Sequence, residues 1–485
     1  MSCCSSTHRV PEPQAAGRGA LESLPVAVIG GGPVGLAAAA HLLERGLEPV
    51  VLEAAPLVGA APRDWGHVHM FSPWRYNIDR AARALLERHG WTAPDPEAFP
   101  TGRDLAEGYL DPLARLPELA PRLRLGARVT GVARVGAGKV RDAGRELQPF
   151  EVRFEDAQGK QGRILARAVI VATGTWGNPS PAGSTGLPAI GEREAADRIR
   201  YGMPDVLGIG SSRYARRRTL VVGSGHSAIG TLIDLAELAR EVPCTSVVWA
   251  ARSADLTRAY GGGDADQLPE RGALGQRLRR LVETGTIELL APFSVDEIRR
   301  GHGGSLTVLS AEGRAVEVDE MVVATGLRPD LGILREVRTD LDSALECPRV
   351  LALLIDPNLH SCGTVRPHGA EELAQPDAGL FLAGMVSYGR APTFLLATGY
   401  EQVRSIAAFL AGDLEAARRV ELDLPQTGVC SSSRVLPGAA ETESSCCTPA
   451  TPQGACCPPK PELAEDAPCC GSAARKETAP AEPAE

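Results

Sequence analysis

The sequence is almost without lysine. Lys139, Lys160, Lys460 and Lys476 are the only four, and the other 47 basic residues are arginines. None of the four stands in a G-x-x-x-x-G-K-[ST] loop, which excludes a P-loop nucleotide triphosphatase; a Schiff-base lysine is equally disfavoured. A dominant positive charge is also missing. The 51 basic and 60 acidic residues leave a net charge of −9 without a basic stripe, so neither a nucleic acid nor an anionic membrane is expected as a partner. Long apolar runs are absent too. The longest apolar neighbourhood, 26–43, is broken by Gly30, Gly31, Gly32, Pro33 and Gly35, which argues against a membrane span. Residues 1–24 hold no continuous apolar stretch, so no secretory leader is expected and the protein is read as cytoplasmic. Nor do its cysteines show a C-x-x-C or C-x-x-x-x-C spacing anywhere, which removes the usual redox-active dithiol.

What is present divides the 485 residues into three regimes. Residues 1–24 are polar and irregular and are expected to be disordered. Residues 25–424 alternate apolar runs with glycine turns, as α/β domains do. Residues 425–485 are rich in Pro, Ala, Ser, Glu and Cys with almost no large apolar side chain, a composition expected to stay disordered because it buries too little surface to offset its ordering entropy. Eight of the 12 cysteines form adjacent pairs: Cys3–Cys4, Cys446–Cys447, Cys456–Cys457 and Cys469–Cys470. Neighbouring Cα atoms lie about 3.8 Å apart, below the usual disulfide range of about 4.4–6.8 Å, so these pairs are expected to persist as thiols in a reducing compartment.

The folded part contains a degenerate repeat. One copy runs from Val26-Ala-Val-Ile-Gly30 to Ala172-Thr-Gly174, the other from Leu220-Val-Val-Gly223 to Ala324-Thr-Gly326. Each opens on a buried strand, turns on glycines into a helix, and closes on a strand ending Ala-Thr-Gly. The first copy is longer, and its surplus is placed around His67–Gly102.

In the first copy Gly30-x-Gly32-Pro33-x-Gly35 follows the Val26–Ile29 strand directly. Gly30 permits the tight turn, Gly32 lets the backbone approach a pyrophosphate, and Gly35 allows close helix–strand packing. The helix from Pro33 to Arg45 aims its free N–H groups at the phosphates. The next strand ends in Glu53, a carboxylate able to accept both ribose hydroxyls and to repel a 2′-phosphate. In the second copy Gly223-Ser-Gly225-His226-Ser227-Ala228 fills the turn, and the following strand ends at Ala251-Arg252. An arginine at the ribose position favours the 2′-phosphate of NADP over the hydroxyl of NAD. Two dinucleotide sites with opposite ribose signatures imply two different dinucleotides.

These motifs resemble two-dinucleotide-binding-domain flavoproteins, which include flavin-containing monooxygenases and pyridine nucleotide-disulfide oxidoreductases. The resemblance spans about residues 25–420. It implies an α/β fold of two Rossmann-like domains, of the three-layer ββα/βαβ type, one for FAD and one for NADPH, with disordered tails. The FAD domain is expected to be discontinuous, 25–200 with 327–424, around an NADPH domain at 201–326. Ala172, Thr173, Gly174, Thr325 and Gly326 then mark the crossings between the domains. Gly384 ends a late strand along the ribityl chain, although Met385 stands where an acid is usual. A helix from Thr393 through Leu410 would direct its N-terminus at the flavin.

The Gly-x-Gly-x-Ser-Ala turn and Ala172-Thr-Gly-Thr-Trp-Gly-Asn-Pro179 further resemble NADPH-dependent monooxygenases. In those enzymes reduced flavin and oxygen form a C4a-hydroperoxide. Their F-x-G-x-x-x-H fingerprint is absent between Pro179 and Arg218. Segments His69–Asp79, Ser361–His368 and Ser387–Phe394 resemble flavoproteins of arsenic-resistance gene clusters. Soft thiolates at Cys446, Cys447, Cys456, Cys457, Cys469 and Cys470 would suit a thiophilic ion such as trivalent arsenic. Candidate catalytic residues are His69, Arg75, Cys362 and Tyr388, with His67 and Tyr76 beside the first two in a segment expected to roof the flavin. Cys362 with His360 and His368 is a candidate thiolate–imidazole site for a soft ion. Three functions stay open: a monooxygenase-like enzyme taking oxygen and a small-molecule or thiophilic substrate, an NADPH-dependent reductase of a thiol-bound or metal substrate, and a metal-binding sensor on a flavoprotein scaffold.

Overall fold

The computed structural model describes residues 18–261, 269–359, 368–391 and 395–422, which all fall within one compact unit. Two five-stranded parallel sheets organise it. The first has the order β16-β7-β1-β2-β3, where β1 is Val26–Ile29, β2 Pro49–Leu52, β3 Leu123–Arg124, β7 Ala168–Val171 and β16 Leu380–Leu382. The second has the order β11-β10-β9-β15-β8, with β8 Ile199–Tyr201, β9 Arg218–Val222, β10 Ser246–Ala250, β11 Ile287–Leu290 and β15 Glu320–Val323. β1 is buried at all four positions and so are β7 and β15. This is why β1 and β7 read as unbroken apolar runs, while β15 opens on the buried Glu320: helices or a second layer cover both faces of a parallel sheet.

An antiparallel three-stranded ribbon accompanies each sheet. β4 (Arg128–Arg134), β5 (Phe150–Glu155) and β6 (Gln161–Ala166) belong to the first; β12 (Val295–Arg300), β13 (Leu306–Ser310) and β14 (Ala315–Val318) belong to the second. The repeat in the sequence is thus a repeat of architecture. The first copy's extra length falls between β2 and β3, residues 53–122, against residues 251–286 between β10 and β11.

The helix Pro33–Glu44 follows β1. Proline opens it, Gly32 stands at its N-cap, and four consecutive alanines from Ala37 favour it intrinsically. Every residue from Val34 to Leu42 is buried, because the helices Arg80–Arg88 and Leu396–Leu410 also pack on it.

Three expectations shift. The boundary at residue 201 cuts through β8, which pairs with β15 in the second sheet; Ala182, Ala189, Ala195 and Ile199 already feed that sheet's core. Residues 18–22 form a short helix, Arg18–Glu22, rather than continuing an irregular segment. The late helix begins at Leu396, with Leu395 at its N-cap; Thr393 lies outside the described residues, as do residues 423–485 with all six candidate tail cysteines.

The two chain crossings between the sheets are tied together. Pro179 bridges Leu327, Ser180 N–H donates to Gly326 O at 2.9 Å and Arg328 N–H to Asn178 O at 2.9 Å. The Thr325 hydroxyl reaches the carbonyls of Ser180 and Pro181, each at 3.0 Å. Thr325 is therefore a tie between crossings through its side chain.

Beneath the β4–β6 ribbon Asp377 is 3% exposed and accepts both Nε and Nη2 of Arg145 at 2.8 Å, along with Arg338 N–H at 2.7 Å. Burial opposes its charge, but these donors outweigh burial and hold its carboxyl below the ordinary value. Stability from Asp377 is therefore present above its unfolded pKa and lost as pH falls through the folded one. Asp377→Ala strands Arg145 in a dry site and is expected to cost about 3–5 kcal/mol in urea unfolding at neutral pH.

Candidate active site

The C-terminal ends of β1, β2 and β7 meet at the first glycine turn. Gly30 takes a φ of +110°, a region that disfavours side chains; a Cβ there would also lie 2.5 Å from Ala172 O. A Cβ on Gly35 would overlap the carbonyl oxygen of Gly30, whereas one on Gly32 would meet nothing within 4 Å among the described residues. The turn is thus closed behind and open in front. Gly32 caps the Pro33–Glu44 helix without a side-chain hydrogen bond, so its first N–H groups have no side-chain cap and can face an anion.

Glu53, just past β2, is fixed by two backbone donors: Gly31 N–H at 2.6 Å to Oε2 and Ala55 N–H at 2.8 Å to Oε1. Half-buried and aimed by the turn itself, it keeps lone pairs for ribose hydroxyls. Beyond Ala172, Thr173 and Gly174, Thr175 is 4% exposed and its hydroxyl has no hydrogen-bond partner among the described residues. An orphaned buried hydroxyl three residues beyond Ala172, whose carbonyl lies against Gly30, fits a bound polar group. No sequence signal beyond its place after Ala-Thr-Gly pointed to Thr175.

The second turn repeats this plan. Gly223 has φ +132° and a Cβ there would overlap Ala324 O; Gly225 is open, with nothing among the described residues within 4 Å of its Cβ position. Gly225 caps His226–Glu241 without a side-chain hydrogen bond. Trp249 on β10 donates Nε1–H to Gly223 O at 2.7 Å and so fixes the turn from below. Ala228, in the third glycine's place, is fully buried. Arg252 is exposed at the end of β10, held by one contact of 3.3 Å to Ser184 O, which leaves most of its donors available to a phosphate. The donors, carboxylate and open glycines fit two dinucleotides.

The segment after β2 separates the candidate catalytic residues. Phe71 packs on His226, ring centroids 5.2 Å apart, and Trp176 donates to Asp64 at 3.0 Å. His67 faces Pro204 and Asp205, and its half-buried ring sits below the ordinary imidazole pKa, chiefly through burial. This stretch therefore lies beside the second turn. His69 is exposed and bridges Thr101. Arg75 is exposed, paired with Glu97 and stacked over the Tyr76 ring at 4.8 Å; this surface pair does not place it in a flavin roof. Tyr388 is buried, its hydroxyl pushed up by burial, near His368 at 5.6 Å between rings. Cys362 and His360 lie outside the described residues. His368 Nε2 is already engaged by Gln402 Nε2 at 2.8 Å, which removes that nitrogen as a soft-ion ligand.

The described cysteines offer no relay. Cys244 is exposed and Cys347 buried, its thiol pushed up to about 12 by burial. Among the described residues no group of three His, Cys, Asp or Glu side chains is placed to hold a metal ion. No described helix is long and apolar enough to cross a membrane.

Comparison with known proteins agrees with this architecture. The pyridine nucleotide-disulphide oxidoreductase family matches the chain over residues 24–362. An indole-3-pyruvate monooxygenase of Oryza sativa is 30% identical over 217 residues, 43% of this chain and 44% of that protein, so less than half of that relative is spanned. A ferredoxin–NADP reductase of Salinispora tropica is 26% identical over 343 residues, 68% of this chain and 85% of the relative. The solved bacillithiol disulfide reductase of Bacillus cereus superposes with a TM-score of 0.59 at 20% identity, covering 80% of this chain and 99% of its own, a likeness of fold.

Proposed function

Because the chain belongs to the pyridine nucleotide-disulphide oxidoreductase family, and is an FAD-dependent oxidoreductase using NAD(P)H, we propose that it is an NADPH-consuming, monooxygenase-like enzyme acting on a small thiophilic molecule, with trivalent arsenicals as the first class to test. The lack of a C-x-x-C or C-x-x-x-x-C spacing anywhere in the sequence carries this reading. Electrons that enter the first unit have no paired thiols of the usual kind to leave by, so they pass to oxygen or directly to a substrate. The rice monooxygenase relative supports oxygen; the adjacent cysteine pairs of the tail support a soft substrate.

When bound, FAD supplies the acceptor for the hydride of NADPH. The protein's part is to hold and orient. The uncapped N–H groups after Gly32 and Gly225 meet pyrophosphates, Glu53 takes ribose hydroxyls, and Thr175 offers its orphaned hydroxyl beside the first cradle. Arg252 selects the phosphorylated ribose. Arg252→Ala is expected to raise KM for NADPH about tenfold or more, since a charge-assisted hydrogen bond contributes about 1.5–3 kcal/mol, and to leave KM for NADH nearly unmoved. Steady-state kinetics with both nucleotides checks this.

The deciding experiment follows NADPH, oxygen and product together with arsenite, a methylated trivalent arsenical, thiols and amines as substrates. Equimolar consumption of NADPH and oxygen with little hydrogen peroxide supports the proposal. Undiminished turnover under argon overturns it in favour of a reductase, the reading that the ferredoxin–NADP reductase relative, matched over 85% of its length, supports.

A further inference from the structure

The turn after β16 carries a set of hydrogen bonds that the proposed reaction leaves unused. Gly384 donates its N–H to Oε1 of Gln402 at 2.7 Å, and its carbonyl accepts the Ser387 hydroxyl at 2.7 Å. The amide nitrogen of Gln402 lies 3.0 Å from Ser387 Oγ and 2.8 Å from His368 Nε2. Gln402 and Ser387 are fully buried and His368 is 4% exposed.

The amide cannot be turned over. Its NH2 would then face the N–H of Gly384, two donors in a dry site, and the glycine would lose its acceptor. With the oxygen fixed on Gly384, the NH2 must point at Ser387 and His368. Ser387 can accept because its own proton goes to Gly384 O. His368 can accept at Nε2 only through a lone pair, so the proton of the ring resides on Nδ1. A second proton at Nε2 would set N–H against N–H.

We infer that Gln402 is a positioning residue that holds His368 as the neutral, Nδ1-protonated imidazole under the Gly384 turn, keeping positive charge off this buried ring. The bearing on the flavin rests on the reading of that turn as part of the FAD site. Gly384, at the end of β16, adjoins Val34 of the helix that opens at the first glycine cradle: a Cβ on it would come within 3.2 Å of the valine side chain. Glu401 and Arg404, either side of Gln402 in sequence, pair with each other at 2.7 and 2.9 Å, and Arg390 pairs with Glu346 at 2.8 Å.

The test uses the full-length holoprotein labelled with 15N-histidine, with His368→Gln to assign the resonance. The wild type is expected to show a protonated Nδ1 and a bare Nε2, unchanged between about pH 6 and about pH 9, a range in which a free imidazole titrates. Gln402→Glu keeps an acceptor for Gly384 but turns the group facing His368 from donor to acceptor. His368 should then carry a proton on Nε2, and the pH profile of the flavin midpoint potential should gain an ionisation that the wild type lacks. Gln402→Met, with neither donor nor acceptor, guards against a misfolded glutamate variant and should free the ring to titrate. A wild-type His368 protonated on Nε2 overturns the inference whatever the flavin does. The expected tautomer with an unmoved potential profile in Gln402→Glu overturns the flavin-side role alone. A chain that keeps the tautomer but binds no FAD overturns the cofactor reading of the turn, not the role of Gln402.

Discussion

Gly32→Ala should purify colourless yet fold with unchanged stability, whereas Gly35→Ala should purify colourless and melt early. The two glycines are three residues apart and face opposite surroundings. Gly32 has φ −82°, which alanine adopts freely, and no atom of the described residues stands within 4 Å of a Cβ there. The added methyl group therefore occupies only the open space in front of the turn, where the pyrophosphate is proposed to lie. At Gly35 the methyl group collides with backbone, the carbonyl of Gly30, and the helix must lift from β1. Overpacking of this kind costs about 1–3 kcal/mol, and a rigid carbonyl puts this site at the upper end. Flavin absorbance of the purified proteins and melting of the flavin-free forms separate the two effects. A Gly32→Ala protein that retains a full complement of flavin would remove this turn as the cofactor's seat.

Asp79→Asn should destabilise the protein by about 3–5 kcal/mol at neutral pH, the cost of stranding a buried partner charge. His41, 1% exposed on the Pro33–Glu44 helix, sets Nε2 at 2.8 Å from Asp79 Oδ2 and Nδ1 at 3.4 Å from Glu44. Burial alone would drive its proton off. The Asp79 charge and hydrogen bond, joined by Glu44, override burial and raise its pKa from 6.5 to about 9. Arg80 pairs with Glu44 at 3.5 Å, and the Tyr109 hydroxyl accepts Asp79 N–H at 3.1 Å, so these two groups shape the same site. A folded-state pKa above the unfolded one gives stability that is complete below pH 6.5 and fades as pH rises through about 9. Wild-type unfolding free energy should fall across that window, and Asp79→Asn should flatten the fall. Asp79 also caps the Arg80–Arg88 helix, accepting Ala82 N–H at 2.9 Å; asparagine keeps a capping oxygen, so the loss in that variant reports the ion pair.

The cradles were legible because their signal is local. A buried strand, glycines at fixed offsets, a helix and an acid or arginine at the next strand end lie within about three dozen residues of each copy, and each residue type answers to one steric or electrostatic demand. What escaped the sequence depends on distant partners. His41 meets Asp79 across 38 positions and Gln402 meets His368 across 34, with no periodicity to announce either pair. Thr175 gains meaning only from the space around it. β8 was cut by the expected domain boundary because a three-residue edge strand with one buried side chain carries almost no pattern. Arg75 resembles an active-site cation in sequence, and only the structure pairs it with Glu97 at an exposed position.

The knotting of the two crossings at Pro179 and Leu327 has an engineering consequence. The half that carries the second sheet enters and leaves at one point, so topologically it is a cassette spliced into its host. Exchange of residues 180–326 for the matching stretch of a relative would cut the chain at only two neighbouring seams, and beyond them would have to keep the packing of Phe71 on His226 and of His67 against Pro204 and Asp205.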